Sequence, residues 1–138
     1  NEIIEGIAKQ LEQLYPDKMV YVNEIRRGAN ENFCVHCIDQ AHIRNLDRRR
    51  TRSYSFEILY FKAEKDSMAF NEWAEEMYWG FERIQVGDRI ITPRDAQAED
   101  GGDMVYHFTF DINLTGLIDK PAGDPMGGFR IEGGLKDE

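Results

Sequence analysis

The residues of this chain best suited to metal binding or catalysis are two cysteines and a histidine that lie close together in the sequence, Cys34, His36 and Cys37. Thiolates and imidazoles bind zinc, and a cysteine beside a histidine can act as a nucleophile. The surrounding residues alternate as in a β-strand, which places Cys34 and His36 on one face and Cys37 on the other. No second Cys/His pair follows, and His42 lies too far along the strand to complete a tetrahedral site. We therefore expect no zinc site, catalytic thiol or disulfide here, and two unbridged cysteines favour a reducing cytoplasm.

The remaining histidine, His107, has an acid nearby in sequence but not in reach. Asp111 lies four residues further along a predicted strand, which is about 13 Å and too far for a hydrogen bond. We expect both side chains on a solvated face with cross-strand partners. The carboxylates of residues 95–103 lack the spacing of a calcium loop, and the glycine pairs lack the context of a phosphate-binding loop. The sequence predicts no catalytic residue, no metal site and no cofactor.

Arginine supplies the strongest chemical signal. A guanidinium group binds carboxylate or phosphate through a planar fork, so arginine in place of lysine favours a contact surface over a merely solvated face. On an acidic chain, the expected recipient is an acidic surface of a neighbouring copy, either the glutamate face of the second predicted helix or the turn of residues 95–103. A phosphate backbone is the rival recipient. Seven arginines fall within 27 residues, in two predicted loops at the ends of neighbouring strands: Arg26, Arg27, Arg44, Arg48, Arg49, Arg50 and Arg52.

Composition limits the class of protein. With 138 residues, the chain is expected to form one domain with a modest core. It carries 17 Lys plus Arg against 26 Asp plus Glu, a net charge of −9, whereas a general DNA-binding domain is normally basic. No apolar run reaches the roughly 18 residues of a membrane helix. The first residues predict an amphipathic helix and not a signal peptide.

The first half of the chain predicts one helix and three strands. Helical spacing of apolar residues runs over 2–15 and ends at Pro16. Strands are predicted over 18–25, 32–43 and 53–61. The third strand carries apolar residues on both faces, which is typical of a central strand. One side of the second strand is expected to carry Phe33, Val35, Cys37, Ala41 and Ile43.

The second half predicts a helix followed by strands. A helix over about 67–82 presents one wide apolar stripe, which predicts a core face. Gly87-Asp88 is expected to form a two-residue type II′ turn between short strands. A further strand is expected over 92–98, and residues 104–114 alternate without a break, the pattern of a strand with one buried face. The stripe of the helix consists of Phe70, Trp73, Ala74, Met77, Tyr78 and Phe81.

Together these elements predict an α+β fold with the order α-β-β-β-α-β-β-β. We expect a mostly antiparallel sheet with both helices packed on one face. Residues 1–118 are expected to form the single domain, and residues 119–138, rich in glycine and proline, to be a flexible arm. Phe129, Ile131 and Leu135 are spaced so that this arm can dock on a partner.

At this level the chain resembles a family, the tail terminator (tail completion) proteins of tailed phages of Gram-positive bacteria and of related phage-derived tail particles. Four segments carry the resemblance: the helix that begins Ile3-Ile4-Glu5-Gly6-Ile7-Ala8, the strand Met19 to Glu24, the stretch Arg48 to Phe61, and the stretch Asp100 to Leu114. These are alternation patterns over residues 3 to 116, not catalytic signatures.

The resemblance implies a structural protein without enzymatic activity, cofactor or metal. Members form hexameric rings that cap the tail tube, stop its polymerisation and provide the surface on which the head-to-tail connector docks. In contractile tails they also hold the last ring of the sheath. It further implies a location in a virion or phage-like tail particle, assembled in the bacterial cytoplasm, with DNA only as passing cargo. It leaves open whether the tail contracts and whether the particle is a phage or a bacteriocin.

Three other functions stay open from the residues alone. The arginine loops could make the chain a nucleic-acid-binding module, which would show steeply salt-dependent affinity. His36, His107 and nearby acids could serve a small hydrolase or metal enzyme. The chain could also be another neck or adaptor protein of the same assembly.

Overall fold

The computed structural model describes residues 2–28, 30–44, 49–63, 67–118 and 129–131. Within these residues, no helix is long and apolar enough to cross a membrane. The predicted α+β class, the two helices and the mostly antiparallel sheet are confirmed. The elements are α1 Glu2–Leu14, β1 Met19–Val22, β2 Asn32–Arg44, β3 Arg49–Phe61, α2 Ser67–Gly80, β4 Ile84–Val86, β5 Arg89–Ile91, β6 Arg94–Asp100, β7 Val105–Ile118 and β8 Phe129–Ile131.

One large sheet has the strand order β1-β2-β3-β7-β6, and β8 adds to β7. The strand β3 pairs with β2 on one side and β7 on the other, so its predicted central position is confirmed. The β1–β2 pair is parallel, while the other described pairs are antiparallel. Strands β4 and β5 form a separate hairpin in which Val86 pairs with Arg89. Gly87 has a φ of 63°, as the first position of the predicted type II′ turn requires.

The core lies between one face of this sheet and the two helices. Cross-strand rows place apolar side chains opposite one another on that face. Helix α1 contributes Ile7 and Leu11, which are fully buried, and α2 contributes Trp73 and Met77 to the same cluster. Both helices therefore cover one face, as predicted. The rows across β2, β3 and β7 are Phe33–Tyr60–Tyr106, Val35–Ile58–Phe108 and Cys37–Phe56–Phe110.

A β-bulge in β2 overturns part of the sequence prediction. The register with β3 shifts between Cys37 and Asp39, so that Ile38 is an extra residue. An extra residue reverses the alternation of everything beyond it. Ala41 and Ile43 therefore lie on the face opposite the core rows, and their predicted position on the same side as Cys37 is wrong.

The end of α2 is held by a side chain of α1. Gln10 donates through Nε2 to the carbonyl oxygens of Gly80 and Arg83, both at 2.6 Å. The last carbonyls of a helix have no partner within the helix and need one elsewhere. A second link runs from the Tyr15 hydroxyl to a carboxylate oxygen of Glu76 at 2.6 Å. These contacts fix the orientation of the outward face of α2.

Candidate assembly surfaces

The first candidate surface is the far end of the β2–β3 hairpin, which we call the arginine arm (residues 38–44 and 49–55). Residues 38–44 are all exposed. Arg44 lies directly opposite Arg50, and His42 lies opposite Arg52. The bulge at Ile38 puts these four side chains on a single face of the arm. Like charges directly opposite each other destabilise a sheet, so the arm concentrates positive charge at an energetic cost.

Two more of the predicted arginines, Arg26 and Arg27, lie at the opposite end of β3. The Arg27 guanidinium stacks 4.7 Å from the centre of the Phe61 ring and donates to the Asp103 carbonyl oxygen at 3.0 Å. Arg26 sits 4.9 Å from the Tyr21 ring. Eleven residues of β3 separate Phe61 from Arg50, about 36 Å of strand. The structure thus splits the arginine cluster into two groups. The group of Arg26 and Arg27 packs against its own chain.

Three of the predicted contact residues are described only in part. The backbone of Arg49 pairs with Leu117, and the backbones of Phe129 and Ile131 pair with β7 between Gly116 and Ile118. The C-terminal segment therefore returns to the sheet beside the arginine arm. Arg48 and Leu135 lie outside the described residues.

The second candidate surface is the outward side of α2, which we call the glutamate face (Glu72, Glu75, Glu76 and Trp79). Trp79 is 70 % exposed, the largest value among the exposed apolar side chains of the described residues. Trp79 follows Glu75 by four residues and Glu76 by three, so all three lie side by side on the helix. The last turn of α2 contains no basic residue.

The glutamate face opposes a local rule of helix stability. Negative charges at three- and four-residue spacing repel each other, as Glu72 does with Glu75 and Glu76. The charge of Glu76 is partly offset by the hydrogen bond that it accepts from Tyr15. The pKa of Tyr15 is raised mainly by burial and, after burial, by this hydrogen bond. Among the described residues, neither Glu72 nor Glu75 has a hydrogen-bond or ion-pair partner.

The two surfaces are too far apart to meet within one chain. Phe81, just after α2, stacks on Phe110 with ring centres 6.1 Å apart. Arg50 lies opposite Gly116, six residues further along β7. Six residues of strand span about 20 Å, which exceeds the reach of an arginine side chain.

The acidic segment of residues 95–103 forms a blunted sheet edge. Strand β6 is the outer strand beyond β7, and its register shifts between Arg94 and Gln97. Asp95 in this irregular stretch has a φ of 54°. Bulges and charges on an edge strand oppose pairing with another strand. This edge is therefore a poorer recipient for a neighbouring chain than the helix face.

The face of the sheet opposite the helices brings His36 and His107 together with Glu57, an acid that the sequence did not single out. Glu57 accepts from His36 Nε2 at 2.8 Å and from His107 Nδ1 at 2.9 Å. All three side chains are mostly buried, with 20 to 28 % of their surface exposed. Asp111 instead accepts from the Ser55 hydroxyl at 2.7 Å. The predicted cross-strand partners of His107 and Asp111 therefore exist, and only the strand register could identify them.

This cluster has the form of a structural network. Each histidine uses one ring nitrogen on Glu57, which satisfies the carboxylate from both neighbouring strands. The described residues contain no group of three His, Cys, Asp or Glu arranged to hold a metal ion. Cys34 lies on the same face but is fully buried, and burial raises the pKa of its thiol, the opposite of what a nucleophile needs.

A second carboxylate, Glu31, ties together the end of the sheet near Arg27. It accepts from the Tyr60 hydroxyl at 2.5 Å and from the Ala63 backbone N–H at 3.0 Å, and pairs with Lys62 at 3.1 Å. Burial alone would raise its pKa, but the Tyr60 and Ala63 hydrogen bonds and the Lys62 charge lower the pKa to about 2. Glu31 is therefore a fixed anion that locks the entry to β2 against the end of β3.

Comparison with known proteins gives one family. A family profile described as phage tail terminator protein matches residues 2–124. This range contains every described element from α1 through β7, including the arginine arm and the glutamate face. No curated protein matches the chain.

Proposed function

The chain belongs to the phage tail terminator family, and on that premise we propose that it forms a six-membered ring that caps the tail tube, ends tube polymerisation and presents the surface for joining the head. The observation that carries this proposal is the family match over residues 2–124. The ring acts by assembly and not by catalysis. The chain is then a component of a virion or of a related tail particle.

The charge distribution supports a ring. A closed ring repeats one heterologous contact, so each subunit needs two different and complementary surfaces. The arginine arm and the glutamate face differ in sign and lie at different places on the same chain. An isologous dimer would need one self-complementary surface, whereas the charges of the glutamate face are all negative and those of the arm are positive apart from Asp39.

The partners follow from the place of such a ring in a tail. One ring face meets the tube protein, and the other meets connector proteins on the head side, with the last sheath ring as an additional neighbour in a contractile tail. Phe129 and Ile131 pair through their backbones with β7 beside the arginine arm. From there we expect the C-terminal arm with Leu135 to reach an adjacent subunit or the tube, and ordering it would offset part of the contact energy. DNA passes through the ring as cargo.

The nucleic-acid alternative gains no support from the geometry. Arg26 and Arg27 already stack on Tyr21 and Phe61. The arginines that remain on the arm sit on a chain of net charge −9, which would repel a phosphate backbone over most of its surface.

Native mass spectrometry across a range of concentrations, paired with negative-stain imaging, tests the ring. The purified chain is then added to polymerising tube protein from the same particle. We expect hexamers, alone or on tube ends, and tubes that stop growing once the chain is present. Tubes that elongate at an unchanged rate with no density at their ends would reject the proposal.

A further inference from the structure

We propose that the ring is held by one repeated contact in which the arginine arm of each copy lies across the glutamate face of the next copy, with Trp79 at its centre. This inference rests on the proposed ring and specifies its interface. The partner that binds the glutamate face is a second copy of the same chain.

Trp79 has the position of an interface anchor. It points away from a core that buries the other tryptophan, Trp73, to 4 % exposure. Tryptophan and arginine are the residues most enriched among those that dominate binding energy at protein interfaces. An arginine guanidinium stacks favourably on an indole ring, and the chain already uses the same type of contact between Arg27 and Phe61.

The two surfaces also relieve each other's repulsion. Arg44 and Arg50 are placed opposite each other on the arm, with Arg52 next to them. Glu72 and Glu75 lie one helical turn apart. Arg50 and Arg52 also interact within their own chain. Bringing the surfaces together lets the glutamates, which repel each other on α2, pair with guanidinium groups of the arm, and such pairs are short and directional.

Geometry requires this contact to be between copies. About 20 Å of β7 separates the end of α2 from Arg50 within one chain. Because the two surfaces are different, the contact is heterologous. Any open row of subunits therefore leaves one arginine arm and one glutamate face unpaired at its ends. Closure into a ring satisfies every surface.

Charge exchange between two variants tests the interface. The helix-swap variant carries Glu72→Arg and Glu75→Arg, and the arm-swap variant carries Arg44→Glu and Arg50→Glu. Glu76 is left unchanged because it accepts the Tyr15 hydrogen bond. Each variant alone would place like charges at every contact, so we expect each to stay monomeric in native mass spectrometry.

Mixing the two variants should restore rings. The reversed arm of one variant then meets the reversed helix of the other, and the native arm meets the native helix at the next contact. Perfect alternation is possible only in an even-numbered ring, so we expect hexamers with three copies of each variant. The matched control is Glu5→Arg with Glu12→Arg on α1, which makes the same charge change elsewhere and should assemble like the wild type.

Trp79→Ala tests the anchor separately from charge. We expect subunit affinity to fall at least about 30-fold, as for truncation of a dominant interface residue. The thermal unfolding of the monomer should not change, because the side chain is 70 % exposed. In the wild type, acrylamide should quench Trp79 fluorescence in the monomer and much less in the ring.

The outcomes separate this inference from the proposed function. If the wild type forms rings and caps tubes while both swap variants do so as well, the interface is wrong and the function stands. If the swap variants form rings but fail to cap tubes, the glutamate face binds the tube protein and the inference is overturned. If the wild type forms no ring even on tubes, the proposed function and this inference fail together. Monomeric single variants with restored mixed hexamers would establish the contact.

Discussion

Replacing Glu31 with glutamine should destabilise the monomer in a pH-dependent way. The variant keeps the shape and an acceptor for the Tyr60 hydroxyl, but it loses the negative charge that faces Lys62. The pKa of Glu31 is lowered from 4.5 to about 2. A shift of this size corresponds at most to roughly 3.4 kcal/mol of stabilisation at neutral pH. The side chain is 18 % exposed, and water and salt screen part of the interaction. We therefore expect a loss of about 1–2 kcal/mol at pH 7.

The sign of the pH dependence follows from the lowered pKa. A carboxylate whose pKa is lower in the folded state stabilises the fold fully above its unfolded pKa, and this contribution is lost as the pH falls through the folded value. The difference between wild type and Glu31→Gln should be constant from pH 7 down to about 5.5. It should shrink between 4.5 and 2, with more than half of it gone at pH 3.

Urea unfolding at several pH values, below the assembly concentration, measures this difference. The control is Glu12→Gln, a carboxylate exposed on α1, which should change stability by less than about 0.5 kcal/mol at any pH. A Glu31→Gln penalty that is as large at pH 2.5 as at pH 7 would refute the electrostatic explanation. It would mean that the loss comes from the second oxygen, which accepts from the Ala63 N–H and which glutamine replaces with a donor, and not from the charge.

Three further changes probe other parts of the structure. In Gly101→Ala the new Cβ would lie 2.4 Å from Nε2 of His107. We expect His107 to lose its hydrogen bond to Glu57 and the free energy of unfolding to fall by about 1–2 kcal/mol, measured by urea unfolding and by the histidine NMR signals. An unchanged His107 signal would contradict this. Deleting Ile38 removes the bulge but keeps the pairing on both sides of it. We expect monomer stability to change little, whereas the altered bend of the arm should reduce ring formation by at least about tenfold in native mass spectrometry. Normal assembly would show that the bend is irrelevant. Thr92→Val replaces a buried hydroxyl that has no partner among the described residues. We expect the free energy of unfolding to stay the same or to rise by up to about 1 kcal/mol, measured by thermal unfolding. A clear loss of stability would indicate that a bound water satisfies the hydroxyl.

The sequence alone determined the elements and the family. Strand β7 was predictable because its apolar residues alternate without interruption, and α1 because its isoleucines and leucines recur at helical spacing before Pro16. The short β4–β5 hairpin followed from Gly87, since few other residues adopt the backbone that its turn needs. The central place of β3 followed from apolar residues on both of its faces. All these features depend on neighbours within about a dozen residues.

Only the tertiary structure decided which side chains meet. Glu57 finds His36 and His107 across two strand boundaries, and no local pattern encodes that register. Ile38 gives no sign in the sequence that it is an extra residue, yet it reverses the faces of the β2 residues that follow it in the arm. The cluster of arginines, continuous in sequence, is divided because β3 is about 36 Å long between Arg50 and Phe61. Local periodicity specifies how each segment folds, whereas the pairing of distant strands and the length of β3 decide which charges form a common surface.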